Sequence, residues 1–243
     1  MTRTLQPNRL AGGGLIDRER ILQFTFDGRS YQGQAGDTLA SALLANGVTL
    51  VGRSFKYHRP RGILSAGPEE PNALVELRTG ARREPNTRAT VAELYDGLTA
   101  TSQNRWPSLA FDMMSVNGLA GPLFSAGFYY KTFMWPASFW EKVYEPLIRC
   151  AAGLGRAARE ADPDKYDRSH LFCDVLVVGG GTAGLAAALA ASRSGARVVL
   201  CEQDFLLGGQ SLSCNDEIDG KPARSGVQDA TRELEAARRV RIL

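Results

Sequence analysis

Residues 174–202 read DVLVVGGGTAGLAAALAASRSGARVVLCE, and this stretch constrains the chain more than any other. An apolar run, Val175 to Val178, leads directly into Gly179, Gly181 and Gly184 at G-x-G-x-x-G spacing. An alanine-rich segment with helical character follows, then a second apolar run, Val198 to Leu200, and an acid, Glu202. Strand, glycine turn, helix, strand and acid together predict one β-α-β unit of the kind that holds a dinucleotide. Gly179 permits the tight turn out of the strand. Gly181 lets a pyrophosphate approach the main chain, and Gly184 lets the helix pack closely on the strand. The free N–H groups of the first helical turn carry about half a positive charge, which suits an anion. Glu202 stands about 20 residues beyond the glycines, where a carboxylate accepts hydrogen bonds from a ribose diol. An acid there disfavours a 2′-phosphate, so NAD and FAD are favoured over NADP, and the chemistry alone does not separate those two. The pair Gly208-Gly209 after the second strand supports the same reading. The bland alternative is a doubly wound domain that uses its glycines only for packing.

Composition excludes several other classes. The chain has 243 residues, enough for about two domains, with 44% apolar and 23% charged residues. A net charge of +3, with 29 basic and 26 acidic residues interspersed, makes no case for nucleic acid. No apolar run approaches the ~20 residues of a membrane span, so no membrane partner is expected. The basic N-terminus has no apolar core of a secretory signal. Cys150, Cys173, Cys201 and Cys214 form no C-x-x-C pair and read as thiols in a reducing, cytoplasmic compartment. The histidines, His58 and His170, stand far apart without a ligand pattern, so no metal site is expected. No Gly-x-Ser-x-Gly elbow is present, and no catalytic residue is expected in this chain.

Residues 1–20 read as a basic, glycine-rich arm and residues 21–100 as a first domain. Ile21 to Phe26 alternates, with Leu22, Phe24 and Phe26 on one side. Asp27-Gly28 is a hairpin turn and Ser30 to Gln34 the return strand. Asp37 or Thr38 caps a helix through Leu39, Leu43 and Leu44, closed by Asn46-Gly47. Ala73 to Leu77 is a further strand, and Val91 to Thr101 reads as a strand or a short amphipathic helix. Hairpin, helix and further strands make the order of a β-grasp, the fold of plant-type ferredoxins. Within residues 101–170, the stretch from Trp106 through Phe124, Phe128, Tyr129 and Tyr130 to Tyr144 holds eleven of the chain's twenty aromatic residues. Pro107, Pro122, Pro136 and Pro146 exclude one long helix, and the segment reads as a helical linker that packs on a neighbouring subunit or domain. Residues 171–243 begin the dinucleotide domain. The chain stops at Val240-Arg241-Ile242-Leu243, which reads as the opening of another strand, so a longer protein is expected. The fold class is therefore α/β plus α+β: a β-grasp, an aromatic-rich linker and the start of a Rossmann-type domain.

Three further stretches carry a resemblance. RSFKYHRPRGILSAGPEEPNALVEL (Arg53 to Leu77), SQNRWPSLAFD (Ser102 to Asp112) and GFYYKTFMWPASFWEKVYEPLIR (Gly127 to Arg149), with the glycine fingerprint, resemble the N-terminal part of alpha subunits of heterotetrameric sarcosine oxidases. The resemblance implies a complex with beta, gamma and delta subunits that oxidises sarcosine to glycine, with formaldehyde or methylene-tetrahydrofolate and hydrogen peroxide as further products. It implies NAD in this chain, FAD and FMN in the full complex, and tetrahydrofolate as a co-substrate. It carries nucleotide contacts onto Ala183, Glu202, Gln203, Asp204 and Gln210, with Gly179, Gly181, Gly184 and Gly209 as the glycine frame. In iron-sulfur members of the wider family the cluster cysteines would fall at Ser65, Glu70, Ala73 and near Thr90. None is cysteine here, so the expectation is a β-grasp with no 2Fe–2S cluster. His58, in Lys56-Tyr57-His58-Arg59-Pro60-Arg61, is either part of a basic loop near a flavin phosphate or electron path, or a structural loop residue capping carbonyls. Two alternatives stay open: an iron-sulfur electron-transfer subunit of a related amino-acid or opine dehydrogenase, and a scaffold whose nucleotide is purely structural.

Overall fold

The computed structural model describes residues 6–124, 127, 133–152, 155–218 and 220–243. The chain divides into two compact units, Met1–Asp164 and Lys165–Leu243. The expected aromatics Phe128, Tyr129 and Tyr130 lie outside the described residues.

In the first unit, β1 (Asp17–Phe26) and β2 (Arg29–Ala35) form an antiparallel hairpin. Asp27 and Gly28 turn it, with φ of 49° and 76°, the left-handed pair that matches strand twist. Leu22, Phe24 and Phe26 are buried as their alternation predicts. The strand begins four residues earlier than the apolar pattern does. Asp17–Arg20 are polar and pair only after a register shift, so no hydrophobic period announces them. The helix Leu39–Ala45 starts at Thr38, whose side chain accepts from the N–H of Ser41 in a reciprocal capping box. Leu39 and Leu43 are fully buried, whereas Leu44 turns outward. Arg9 grips the buried carboxylate of Asp37 with both terminal nitrogens, at 2.8 and 2.6 Å, and so ties the N-terminal arm to the start of this helix.

Short strands β3 (Gly52–Arg53) and β4 (Pro60–Arg61) pair with each other. Then β5 (Leu74–Leu77), β6 (Glu84–Arg88) and β7 (Leu98–Ser102) complete a five-stranded sheet of order β2-β1-β7-β5-β6, with β7 parallel to β1. The ambiguous stretch Val91 to Thr101 thus contributes a central strand. Its helical look came from Leu94 and Leu98, both buried, one in the approach and one in the strand. Phe24, Leu39, Leu43, Val51, Val75 and Leu98 form the core; each such side chain removed from water contributes about 1.5–3 kcal/mol. Beyond the sheet, the helix Glu145–Ala152 follows a run of short helical turns. Around them Trp106, Phe111, Trp135 and Phe139 stand exposed, Trp135 at 85%.

The loop from Leu64 to Ala73 is built around one carboxylate. Glu70 is 1% exposed. Its Oε2 accepts from the N–H groups of Leu64 and Ser65, each at 2.7 Å, and its Oε1 from those of Asn72 and Ala73, at 2.7 and 3.2 Å. Thr90 donates its hydroxyl to Gly67 O at 2.7 Å and pins the loop's other side. Burial pushes the Glu70 carboxyl up, but the four main-chain donors outweigh it and hold the group below its ordinary value of 4.5.

The second unit contains β8 (Val175–Val178), β9 (Val198–Cys201), β10 (Glu217–Ile218), β11 (Lys221–Pro222) and β12 (Val240–Ile242). Strands β8, β9 and β12 are parallel in the order β12-β9-β8. The helix Thr182–Arg193 connects β8 to β9, and the helix Ala223–Ala236 precedes β12. Leu185, Ala188, Val198, Leu200, Val227 and Leu234 pack between helices and sheet. On the other face of β8, Leu176 and Val178 are 58% and 80% exposed. The segment Val240–Ile242 is a strand, as the composition of the chain's last four residues predicts.

Glu70→Gln should destabilise the first unit by about 2–3 kcal/mol at neutral pH, because an amide offers one acceptor oxygen and sets its NH2 against main-chain donors. Because the folded-state pKa of Glu70 is depressed, its contribution is full above the unfolded value and disappears as pH falls through the folded one. Denaturant unfolding at pH 7 and pH 3 should therefore show the gap between native protein and variant closing in acid; a gap independent of pH would refute the ionised-carboxylate account.

Candidate functional site

The turn from β8 into the helix Thr182–Arg193 is made by main chain. Gly179 has φ of 98°, and its N–H donates to Cys201 O at 2.7 Å, which joins the turn to the neighbouring strand. Gly181 is the N-cap, and no side chain caps this end. The N–H groups at the helix start therefore face outward with the positive end of the helix dipole behind them. Gly181 has empty space where a side chain would be: an added Cβ meets nothing within 4 Å. Gly184 is the opposite case. A Cβ there would lie 1.8 Å from Gly179 O and 3.5 Å from Val177 Cγ1. One glycine keeps a cradle open, and the other lets the helix close onto the turn.

Glu202 is not a free acid at a strand end. Its Oε2 accepts from Gly180 N–H at 2.6 Å, and its Oε1 from the N–H groups of Gln203 and Asp204 at 2.7 and 3.1 Å. Burial raises the Glu202 carboxyl, but these three donors prevail and hold it below its ordinary value. Asp204 behaves oppositely: burial and the Glu202 charge push its carboxyl up, against the N–H of Phe205. The second glycine pair also joins the site. Gly208 N–H donates to Gly180 O at 2.8 Å, Gly181 and Gly208 form a parallel bridge, and a Cβ on Gly209 would come 3.3 Å from Gly181 Cα.

The fold thus brings Gly179, Gly181, Gly184, Glu202 and Gly209 together. Gln203 and Asp204 take part through their main-chain N–H groups. Ala183 lies in the first turn of the helix, and Gln210 lies in the turn Gly209–Leu212; both are exposed. Sequence reasoning passed over Gly180, which receives Glu202, and Ser211, whose hydroxyl lies 2.7 Å from that of Thr182. A G-G-G run hints at the first; nothing local marks the second.

His58 is buried in the first unit. Its Nδ1 lies 2.7 Å from Asp112 Oδ2, and Asp112 Oδ1 accepts from the N–H groups of Trp106 and Met114. It bonds a side chain rather than capping a carbonyl; Arg53 does the capping, at Leu109 O and His58 O. His170 is exposed. Among the described residues, no group of three His, Cys, Asp or Glu residues is placed to hold a metal ion, and no helix is long and apolar enough to cross a membrane.

Two matches to protein families set the class. Residues 19–105 match the 2Fe-2S iron-sulfur cluster binding domain, and residues 174–236 match the FAD dependent oxidoreductase family. The chain thus joins a ferredoxin-like domain to the start of an FAD oxidoreductase domain. It is a close homologue of the N-terminal part of sarcosine oxidase subunit alpha. Identity to that subunit from Rhizobium meliloti (strain 1021) is 63% over 97% of the chain and 24% of the relative. The subunit from Corynebacterium sp. (strain U-96) is 36% identical over 96% of the chain and 20% of its own length. The chain therefore spans about a quarter of the length of these curated relatives or less. Among solved structures, L-proline dehydrogenase from P. horikoshii shares the fold, with a TM-score of 0.50 and 18% identity over 93% of this chain and 33% of that one.

These matches correct the cofactor expectation. Residues 19–105 match a 2Fe–2S cluster binding domain, against the expectation of no 2Fe–2S cluster, and residues 174–236 match an FAD dependent oxidoreductase family, against the expectation of NAD. The expectation was drawn from four ligand positions and one acid, whereas a family is written across the whole pattern of strands, turns and core. The expectation set Ser65, Glu70, Ala73 and a position near Thr90 in place of the cluster cysteines. Glu70 and Thr90 are engaged with the loop's own main chain. That donor set does not fit thiolate ligation, and no step below runs through an iron-sulfur group. The glycine turn does fit a dinucleotide, since the space beside Gly181 is open and the adjacent helix end is uncapped.

Gly184→Ala should lower the stability of the second unit by at least about 2 kcal/mol, since a methyl group cannot coexist with Gly179 O at this separation. Denaturant unfolding of the full-length subunit checks this; an unchanged midpoint would mean that the helix does not press on the turn.

Proposed function

We propose that this chain is the N-terminal part of the alpha subunit of a hetero-oligomeric sarcosine oxidase, and that its second unit begins a Rossmann-type domain that binds FAD. The observation that carries the reading is the pairing of Gly181 with Gly184: an open cradle at an uncapped helix end, held by a helix that could not sit there with any side chain at 184. In this reading the pyrophosphate rests against the main chain at Gly181, Thr182 and Ala183, where N–H groups and helix dipole meet it. Glu202 accepts from one hydroxyl of the ribose diol with the single lone-pair site on Oε2 that its three N–H donors leave free. Its tie to Gly180 sets the distance between ribose and pyrophosphate sites. The wall beside Gly181 is completed by Gly209, with Gln210 next to it. A flavin bound here supplies two-electron redox chemistry; this chain's residues bind it, orient it and fix the spacing.

The complete complex is proposed to oxidise sarcosine to glycine, with formaldehyde or methylene-tetrahydrofolate and hydrogen peroxide as further products. The support is the similarity to sarcosine oxidase alpha subunits along nearly the whole chain. Partner subunits fit the aromatics Trp106, Phe111, Trp135 and Phe139, which are exposed and outside both core clusters among the described residues. The free thiols of Cys173, Cys201 and Cys214 accord with a cytoplasmic setting. The match of residues 19–105 favours a second reading, an electron-transfer subunit of a related dehydrogenase complex. Iron analysis of the full-length complex separates the two.

Nucleotide extracted from the full-length subunit should have the mass of FAD, and Gly181→Val should fold normally yet lose it. No protein atom lies within 4 Å of the added Cβ, so the substitution is directed at the ligand's space. A variant that keeps its nucleotide would sink the assignment of the cradle.

A further inference from the structure

Thr182 is the first residue of the helix Thr182–Arg193, and Ser211 lies in the short turn Gly209–Leu212. Their hydroxyl oxygens are 2.7 Å apart, so one donates to the other. Ser211 is buried at 7% exposure, whereas Thr182 is exposed beside the open cradle at Gly181. The turn that carries Ser211 is locked onto the glycine loop: Gly208 N–H donates to Gly180 O, and Gly208 bridges Gly181. A side chain at Gly208 would strike Val227 Cγ1 at 2.7 Å and Leu212 Cδ2 at 2.9 Å, so this turn cannot retreat into the unit.

A hydroxyl has one proton to give and two lone pairs to receive with. If Thr182 donated to Ser211, the proton of Ser211 would be the one left over, inside the protein. If Ser211 donates to Thr182, the free proton is that of Thr182, at the rim of the cradle and next to the unpaired N–H groups of the first turn. An anion in the cradle selects the second arrangement, because it accepts from Thr182 and so orients both hydroxyls.

We propose that the Thr182 hydroxyl donates to a phosphate oxygen of the bound dinucleotide, and that Ser211 positions it by donating to Thr182 Oγ1. Thr182 is then a binding residue and Ser211 a positioning residue. The proposal rests on the dinucleotide reading above and adds a donor beyond the main chain. It also makes the second glycine-pair turn sense occupancy of the first, because ligand binding fixes the direction of the bond that joins them.

The test uses the full-length subunit freed of its nucleotide, with FAD, ADP and adenosine titrated separately into native protein and into Thr182→Val, Thr182→Ser, Ser211→Ala and Gly181→Val. Thr182→Val should bind FAD and ADP about five- to tenfold more weakly, the loss of one charge-assisted hydrogen bond, with adenosine unaffected. Thr182→Ser should bind as the native protein does. Ser211→Ala should weaken FAD by about threefold, and by nothing further in the Thr182→Val background. If Thr182→Val binds FAD and ADP normally while Gly181→Val does not, the hydroxyl pair has no role toward phosphate and the cradle stands. An equal loss for adenosine and ADP would also overturn the proposal. If Gly181→Val itself retains affinity, the dinucleotide reading fails and the hydroxyl proposal with it. Thermal midpoints guard against a folding defect in Ser211→Ala; should it unfold, the Thr182→Val and Thr182→Ser pair decides alone.

Discussion

The second unit depends on a close approach of two stretches of main chain, the helix at Gly184 against the carbonyl of Gly179. Everything that makes the turn a site follows from it. The helix can begin directly beneath the strand only because no Cβ intervenes, and its uncapped N–H groups then point into the space that Gly181 leaves open. Gly208 uses the same device from another direction, entering a position where any side chain would collide with Val227 and Leu212. Three glycines thus have three distinct duties: one admits a helix, one admits a neighbouring turn, and one leaves open the space in which the dinucleotide is proposed to bind.

Each unit also places one glutamate among main-chain donors. Glu70 gathers four N–H groups and closes the loop Leu64 to Ala73 on itself. Glu202 gathers three and ties the end of β9 to the glycine turn. In both, burial opposes ionisation and the donors overcome it, so each carboxylate is held charged in a place that would otherwise disfavour charge. The difference lies in what remains. Glu70 is 1% exposed with all four acceptor sites engaged by its loop, whereas Glu202 is half-buried and has one acceptor site to spare.

The first unit matters for the same reason in another form. The hairpin, helix and sheet of the ferredoxin-like unit pack around a core to which the loop Leu64 to Ala73 contributes Ala73 alone. That is why counting cysteines misjudged the cofactor while the alternation of Leu22, Phe24 and Phe26, the Asp27-Gly28 turn and the Thr38 cap were all read correctly. Local patterns report local structure, and a family is a property of the whole sheet.

From the sequence alone came the elements whose cause is local: the β1–β2 hairpin, the capped helix at Leu39, the β-α-β order at Val175 to Cys201, the strand at Val240 and the glycines of the turn. Their periods, caps and turn residues act within a few positions, so one sequence suffices. Tertiary structure alone decided what depends on contact between distant segments. It set β7 parallel to β1, paired His58 with Asp112 across 54 positions, engaged Glu202 with Gly180, and brought Ser211 to Thr182. A hydrogen bond between residues far apart in sequence leaves no periodic trace along the chain, and only the packed fold determines which donors and acceptors meet.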